Sequence, residues 1–479
     1  MKITWQWLIL TILTLLLVSC GGQAPAPSAQ EEAAAPAATE AAAPAEEAAA
    51  PAKEEAAPGE KVKVTWWEQA PEDQYRELLK KEFVESFNAA HDDIEVEMIF
   101  QEDLDRVLRT AIQGGAAPDI IFTPGPSFVL EYVNAGFITP LDEYAQQYGW
   151  QEKMLEWAYD SGKVQGKLYS LPLTYETMVL YYNKALFEEK GWSPPTNRGE
   201  VEKLCEAADA EELICFSHSN QYWKGVNEWM VGVFYNNYAG ADNVYAALQG
   251  KKPWTDPEFV EANQVIKEWV DKGWFSGSLE NYFGLTHDDI WQALCDKKAL
   301  MNIEGTWAFQ DAPRFCGEDW DWAPLPALRE DVTPSYVLAI GSTLSINAKS
   351  PNPDAAAAVL DWVVNDKARA ARIIEGFNFG EWNVPLRFTA SDFSSSADPR
   401  YIRFVEEFAK DTGEGRFGYT TWTFWPAKTD QYIIEELDGV LTGDMTVEDY
   451  QAEQQRLFTE EFNKGLVPPA PPTKIQTKS

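Results

Sequence analysis

The feature that most constrains this chain is an alternation of extended and helical segments that starts at residue 61. The β-branched stretch KVKVTWWEQ (Lys61–Gln69) predicts a strand, and EDQYRELLKKEFVESFNAA, with apolar residues near a 3.6-residue period, predicts a helix. IEVEMIF, DLDRVLRTAIQGG and PDIIF continue the pattern as strand, helix and strand. Strands joined by helices pair in parallel, so the sequence predicts an α/β fold. Ligands of such sheets bind beyond the carboxyl ends of the strands, here WWEQ and IIFTPGP.

Composition limits the partners that the chain can have. Its 479 residues, 45% of them hydrophobic, are enough for two or three lobes. A formal charge of −37 argues against nucleic acid, which would require a surplus of lysine and arginine, and an acidic surface favours a soluble monomer. The 20 tryptophans exceed what core packing normally uses and suggest flat surfaces that face a ligand, although most of the aromatic rings should be buried.

The N-terminal residues predict export and lipid attachment. Lys2 precedes an apolar run that is too short for a membrane span and ends in LVSC, which resembles the bacterial lipobox. We therefore predict a signal peptide over residues 1–19 and a lipid on Cys20, which would hold the protein to a membrane outside the cytoplasm. Residues 20–60 are rich in Ala, Pro and Glu, carry no aromatic residue, and predict an extended, disordered tether.

Four cysteines remain after Cys20, and an even number in an exported protein predicts two disulfides. Three connectivities are open, and we favour the pairs that are close in sequence, Cys205–Cys215 and Cys295–Cys316. No metal site is predicted, because the chain has no CxxC motif and only three histidines. No cofactor is predicted either, because no Rossmann glycine fingerprint or P-loop occurs.

Six segments in a fixed order carry a family resemblance. They are PDIIF, NAGFITPLDEY, SLPLTYETMVLYYNKALFEEKG, ALMNIEGTWAF, INAKSPNPDAA and TFWPAKTDQYI. In this order, the chain resembles the extracellular solute-binding proteins of bacterial sugar ABC importers, of the maltose-binding-protein type, from Val62 to Phe462. The resemblance implies a two-lobe periplasmic-binding-protein fold (type II), in which each lobe is a mostly parallel sheet flanked by helices and hinge strands join the lobes. Residues 61–173 plus 324–382 would form one lobe and residues 174–323 plus 383–465 the other, followed by a Pro-rich tail, 466–479.

A sugar site needs aromatic rings for the C–H faces of the sugar and carboxylates or amides for its hydroxyls. The resemblance implies stacking by Trp307 and Trp425 and a ligand-binding glutamate at Glu176. At the end of the first strand, alternation lets only one of Trp66 and Trp67 face a cleft, and we favour Trp67. The full predicted ligand-binding set is Trp67, Glu68, Gln69, Tyr175, Glu176, Trp223, Glu304, Trp307, Gly341, Ser342, Trp382 and Trp425. The chain reads TPGPS where the maltose type places a stacking tryptophan and an aspartate, which argues against maltose itself.

The function predicted from the sequence is a lipid-anchored receptor that captures a mono- or oligosaccharide between two closing lobes and delivers it to an ABC permease, without catalysis. A receptor for a polyamine or a peptide is the alternative within binding proteins. A secreted glycosidase is the alternative outside them. It would need two carboxylates about 5–10 Å apart, which Glu68, Glu176 and Glu304 could supply, although no hydrolase motif is present.

Overall fold

Two β-sheets organise the part of the chain that the structure describes. The computed structural model describes residues 61–477, apart from the side chain of Asp105. Strands are numbered in chain order. The first sheet contains β1 (Val62–Gln69), β2 (Ile94–Gln101), β3 (Ile120–Thr123), β6 (Leu171–Glu176), β11 (Val337–Ile346) and β12 (Gly418–Tyr419). The second sheet contains β7 (Met178–Asn183), β8 (Ile214–Phe216), β9 (Ala299–Gly305) and β10 (Trp320–Ala323), and β4 (Lys163–Val164) pairs separately with β5 (Lys167–Leu168).

Both larger sheets are mixed, and the α/β class is confirmed: three of the five strand pairs of the first sheet are parallel, whereas two of the three pairs of the second sheet are antiparallel. In the first sheet β1 runs parallel to β2 and β3, whereas β11 runs antiparallel to β3 and β6. In the second sheet β7 runs antiparallel to β9 and β10, and β8 runs parallel to β9. Only Thr177 separates β6 from β7, so the chain passes directly from one sheet to the other.

Helices surround both sheets. They are α1 (Asp73–Leu79), α2 (Ser86–Ala90), α3 (Leu104–Gly114), α4 (Pro126–Asn134), α5 (Asp142–Tyr148), α6 (Trp150–Lys153), α7 (Glu156–Ser161), α8 (Lys184–Lys190), α9 (Arg198–Ala210), α10 (Val226–Phe234), α11 (Ala241–Leu248), α12 (Pro257–Asp271), α13 (Leu279–Tyr282), α14 (His287–Cys295), α15 (Asp311–Cys316), α16 (Pro353–Val364), α17 (Lys367–Gly376), α18 (Pro399–Gly413), α19 (Thr421–Phe424), α20 (Ala427–Thr442) and α21 (Val447–Asn463). Short 3-10 helices span Thr306–Phe309 and Ala390–Asp392, and π-helical turns span Lys80–Glu85 and Tyr235–Gly240. Within residues 61–477, no helix is both long and apolar enough to cross a bilayer.

The described residues, 61–477, belong to one compact unit. The predicted lobe boundaries stay a prediction. Strand β12 falls in the range predicted for the second lobe, residues 383–465, but it pairs with β11 of the first sheet. The Pro-rich tail packs on this unit: the hydroxyl of Tyr419 donates to the carbonyl of Pro471 at 2.6 Å, and Ile475 is buried. The predicted signal peptide, the lipidated Cys20 and the tether lie outside the described residues.

The four remaining cysteines lie in the pairs favoured from the sequence. The Cα atoms of Cys205 and Cys215 are 4.9 Å apart, and those of Cys295 and Cys316 are 4.8 Å apart. Both separations lie within the range that a disulfide can bridge. The first pair joins α9 to β8, and the second joins the ends of α14 and α15, two helices that flank β9.

Candidate ligand-binding cavity

A cavity of about 820 Å³ lies beyond the carboxyl ends of β1 and β3. Glu68 and Gln69 reach it as the last residues of β1, and Phe122 and Pro124 reach it from the end of β3. Further lining on this side comes from β6, from β11 and from the segment before α18, namely Thr174, Glu176, Gly341, Ser342, Glu381 and Trp382. The first sheet therefore forms one wall, at the edge where ligands of α/β sheets bind.

The opposite wall comes from α10, from the 3-10 helix after β9 and from α19 and α20. Here the rings of Trp229 and Trp307 have centroids 4.8 Å apart, and the rings of Trp307 and Trp422 have centroids 6.4 Å apart. Together with Trp223, Trp382 and Trp425, six tryptophans line the cavity. Trp223 has 55% of its surface exposed, so at least one ring is freely accessible. Such flat surfaces suit the C–H faces of sugar rings.

Gly305 explains how Trp307 takes its position. β9 ends at Gly305, and a Cβ atom built there would lie 2.1 Å from Cζ3 of Trp307. Gly305 has an ordinary extended backbone with φ of −79°, so the glycine is needed for space rather than for its backbone angles. The indole of Trp307 therefore folds back over the end of its own strand.

Five carboxyl groups line the cavity, on Glu68, Glu176, Glu228, Glu381 and Asp430. Burial, with a smaller contribution from the nearby charge of Glu381, raises the pKa of Glu176 to about 8. Burial also raises the pKa of Glu68 and of Glu381. None of the lining residues, all of which the structure describes, is a lysine, an arginine or a histidine. The cavity therefore offers many hydrogen-bond acceptors and no cation.

Glu228 and Asp430 form a pair of acids on the wall that carries Trp229, Trp307 and Trp422, which we call the tryptophan-rich wall. Burial raises the pKa of both carboxyls, that of Asp430 to about 6, and the charge of Asp430 adds to the rise at Glu228. Thr421 donates its hydroxyl to Oε2 of Glu228 at 2.9 Å, Oδ1 of Asp430 is buried, and the carboxyl groups of Glu228 and Asp430 hydrogen-bond to each other. Two acids in direct interaction hold a proton more readily than either would alone.

A second polar cluster lies behind Trp307. Glu304 is 1% exposed, and Oε1 of its carboxylate accepts from Nε1 of Trp307 at 3.4 Å and lies 3.2 Å from Nε2 of His287. Nε1 of Trp291 also lies 3.1 Å from Nε2 of His287. One ring nitrogen cannot donate to Glu304 and accept from Trp291 at the same time, so protonation of His287 decides which contact is a hydrogen bond. The position of Trp307 is thus connected to a titratable group.

The structure brings nine of the twelve predicted ligand-binding residues to the cavity: Glu68, Gln69, Glu176, Trp223, Trp307, Gly341, Ser342, Trp382 and Trp425. It does not place Trp67, Tyr175 or Glu304 there. Tyr175 is 3% exposed and stacks on Phe408 in the core, and Glu304 lies behind Trp307. Neither Trp66 nor Trp67 lines the cavity: Trp66 is fully buried in the main core, and Trp67 packs against the smaller core cluster on the other face of β1.

Sequence reasoning missed several cavity residues, namely Trp229, Trp422, Glu228, Glu381 and Asp430. Trp422 had a usable signal, because it stands three residues before Trp425 in WTFWP, and Glu381 stands directly before Trp382. Glu228 and Trp229 lie inside α10, where every residue is buried, so nothing in the local sequence separates them from core residues.

Comparison with known proteins gives a consistent result. The family model described as bacterial extracellular solute-binding protein matches residues 70–370. The multiple sugar-binding protein of Streptococcus mutans is 25% identical over 53% of this chain and 61% of its own length. The maltotriose-binding protein of Pyrococcus abyssi is 24% identical over 56% of each chain. The chain thus spans less than two thirds of the length of these two relatives.

Solved structures with the same fold cover nearly all of the described residues. A chitin oligosaccharide binding protein superposes with a TM-score of 0.70 at 18% identity, over 84% of this chain and 98% of the other. A cyclic alpha-maltosyl-1,6-maltose binding protein from Arthrobacter globiformis superposes with a TM-score of 0.66 at 18% identity, over 85% of this chain and all of the other. At this identity the similarity establishes the fold.

Proposed function

This chain belongs to the family of bacterial extracellular solute-binding proteins, and from that premise we propose that it is the substrate-binding component of an ABC importer and captures a carbohydrate. The observation that supports this proposal is the composition of the cavity wall. Six tryptophans and five carboxyl groups face one space of about 820 Å³. Sugar rings stack on indoles, and their hydroxyls donate to carboxylates, so this wall matches both kinds of sugar surface. Similar proteins are named for sugar, maltotriose and chitin-oligosaccharide binding.

Capture would proceed by closure of two lobes around the ligand. One wall of the cavity comes from the first sheet, and the other includes residues that follow β9 of the second sheet. The chain passes between the sheets at Thr177, where it can bend. A ligand that contacts both walls only in the closed form shifts the equilibrium toward that form, which the permease then recognises. The protein binds and releases its ligand without turnover.

We extend the proposal to the cellular setting. Cys20 carries lipid and anchors the protein outside the cytoplasm, and the protein is a monomer. In that oxidising setting Cys205–Cys215 and Cys295–Cys316 form disulfides, which the bridging separations of their Cα atoms support. The nine predicted residues that line the cavity, together with Trp229, Trp422, Glu228, Glu381 and Asp430, are the proposed ligand contacts.

Isothermal titration calorimetry tests the proposal. The chain from residue 20 onward, with Cys20→Ser to prevent lipidation, is titrated with a panel of neutral and basic mono- and oligosaccharides and with spermidine. Binding of at least one sugar, lost in Trp307→Ala and kept in Trp362→Phe, supports the proposal. Trp362 packs on Phe87 and His91, outside the cavity. Failure of every sugar to bind refutes it, and release of a shortened sugar product during the titration would show hydrolysis instead.

A further inference from the structure

The cavity has an imbalance of charge that a neutral sugar does not explain. Its walls carry five carboxyl groups and, among the described residues that line it, no basic side chain. Each of these carboxyl groups that is ionised when a closing ligand desolvates it costs free energy unless a cation compensates its charge. The cavity thus lacks a positive charge that the ligand can supply.

The acid pair on the tryptophan-rich wall is where that charge fits. Glu228 is 5% exposed and accepts from Thr421 at Oε2, Oδ1 of Asp430 is buried, and the two carboxyl groups hydrogen-bond to each other, which requires a proton between them. Glu176 is a third acid that lines the same space, and it adds to the unfavourable charge at Glu228. A primary ammonium group has three donors and a full positive charge, so it can take the place of the proton between the two carboxyl groups and donate to both carboxylates.

A second observation shows that the ligand must also offer acceptors. Trp425 lines the cavity and is fully buried, and the N–H of its indole has no hydrogen-bond partner among the described residues. A hydroxyl or ring oxygen would satisfy this donor, whereas a polyamine chain with all of its nitrogens protonated offers no acceptor. The six tryptophans likewise suit ring faces better than a flexible chain. Acids, an indole donor and aromatic faces together fit a sugar ring that bears an amine.

We propose that the ligand is an amino sugar with a free, protonated amine, held between Glu228 and Asp430 while its rings stack on the tryptophans. This inference rests on the proposed carbohydrate function and specifies its ligand class. The neighbouring indoles add cation–π attraction to the same ammonium group. N-acetylation of the amine removes the charge and two of its three donors, so the acetylated sugar loses the contact with the acid pair.

Binding of the ammonium group should release protons. Burial raises the pKa of Asp430 to about 6 and that of Glu176 to about 8, so the empty cavity holds protons near neutral pH. A bound ammonium group favours the ionised carboxylates and lowers their pKa values, and the displaced protons pass to the buffer. The amine itself keeps its proton, so the charge balance is one proton released for each carboxyl that ionises. A neutral sugar leaves these carboxyls protonated and releases none.

The test is calorimetry in two buffers that differ in ionisation enthalpy, with four probes: the β-1,4-linked glucosamine disaccharide, its N-acetylated form, cellobiose and spermidine. We expect the glucosamine disaccharide to bind at least tenfold more tightly than the two neutral disaccharides, with net proton release. The double variant Glu228→Gln/Asp430→Asn should abolish both the preference and the release. Glu436→Gln, on the same helix α20 but not at the cavity, should keep both.

The outcomes separate this inference from the proposed function. Equal or tighter binding of the neutral disaccharides without proton release overturns the inference and leaves the carbohydrate function intact. Tight binding of spermidine together with failure of every sugar overturns both. Tighter binding of the glucosamine disaccharide without proton release overturns the assignment of the amine to the acid pair. This outcome is measured on the wild-type protein, so it does not depend on whether the double variant folds.

Discussion

Replacing Glu304 with glutamine tests the cluster behind Trp307. The carboxylate accepts from Nδ2 of Asn302 at 3.0 Å and from Nε1 of Trp307 at 3.4 Å, and it lies 3.2 Å from Nε2 of His287. Glutamine has the same shape, but it has no charge and turns one acceptor oxygen into a donor. With His287 protonated, the variant loses a hydrogen bond between charged groups, worth about 1.5–3 kcal/mol. With His287 neutral, the attraction between the two charges is absent, so the loss is smaller.

The direction of the pH dependence follows from His287. Burial lowers its pKa, but the hydrogen bond and charge of Glu304, helped by Asp311 and opposed by Arg314, raise it above the usual value on balance. Tyr222, the remaining titratable contact, packs its ring edge-on against the imidazole. A raised pKa in the folded state gives stability that is complete below the unfolded pKa, about 6.5. That stability disappears as pH rises through the folded pKa, so Glu304→Gln should cost more at pH about 6 than at pH about 9.

Urea denaturation of the wild type and the variant at these two pH values measures the effect through the transition midpoints, provided that the m-values agree. Glu82→Gln is the matched control. Glu82 is also a buried carboxylate, but its partner is Arg372, whose Nη2 lies 2.8 Å from Oε2 of Glu82. Arginine keeps its charge over this range, so the cost of the control should not change with pH. The same cost for Glu304→Gln at both pH values would refute the assigned pairing of Glu304 with His287.

Three further predictions concern the cavity wall and its support. Trp307→Ala should weaken sugar binding by about 1–3 kcal/mol in calorimetry, the value of one stacked ring and its buried area. Gly341→Ala should also weaken sugar binding, by about 1 kcal/mol. The Cβ atom of the alanine would lie 2.4 Å from Oε1 of Glu176 and would displace that carboxyl group. The denaturation midpoint should stay unchanged. Trp291→Phe should raise the pKa of His287 in an NMR titration, because it removes an N–H donor that favours the neutral imidazole.

The sequence predicted the first sheet well because its signals are local. The strands β1, β2 and β3 carry β-branched residues and are joined by helices of clear period, so their parallel pairing follows from the sequence. The second sheet depends on β8 and β10, which have three and four residues and carry little pattern of their own. Their neighbours are set by tertiary contacts, and the antiparallel pairs of β7 could not be read from the chain.

The position of Trp67 away from the cavity has a physical cause. Alternation along a strand predicts which residues share a face, but it does not predict what covers each face. Both faces of β1 are covered: Trp66 packs in the main core, and Trp67 packs in the cluster that contains Leu104 and Ile121. Burial on both faces is typical of parallel strands flanked by helices. Only the end of the strand remains for the ligand, which is why Glu68 and Gln69 reach the cavity and neither tryptophan does.

The acid pair lies beyond prediction from one sequence for another reason. Glu228 is in α10 and Asp430 is in α20, and only the packing of these two helices brings the carboxyl groups together. Glu228 stands outside the six family-like segments, and Asp430, although it lies within TFWPAKTDQYI, has nothing in its local sequence that distinguishes it from an acid with a structural partner. The family-like segments led instead to Trp307 and Trp425, which flank the pair without revealing it.

Trp307 belongs to the core and to the cavity wall at the same time. It is half-buried against Trp229 and Trp422, and its N–H points away from the cavity to Glu304. Substitution must therefore change both affinity and stability, and the two effects separate only through their pH dependence. The loss of stacking is independent of pH, whereas the loss of support from Glu304 follows the protonation of His287. If Glu304→Gln weakens sugar binding only where His287 is protonated, then that proton sets the orientation of the ring that the sugar contacts.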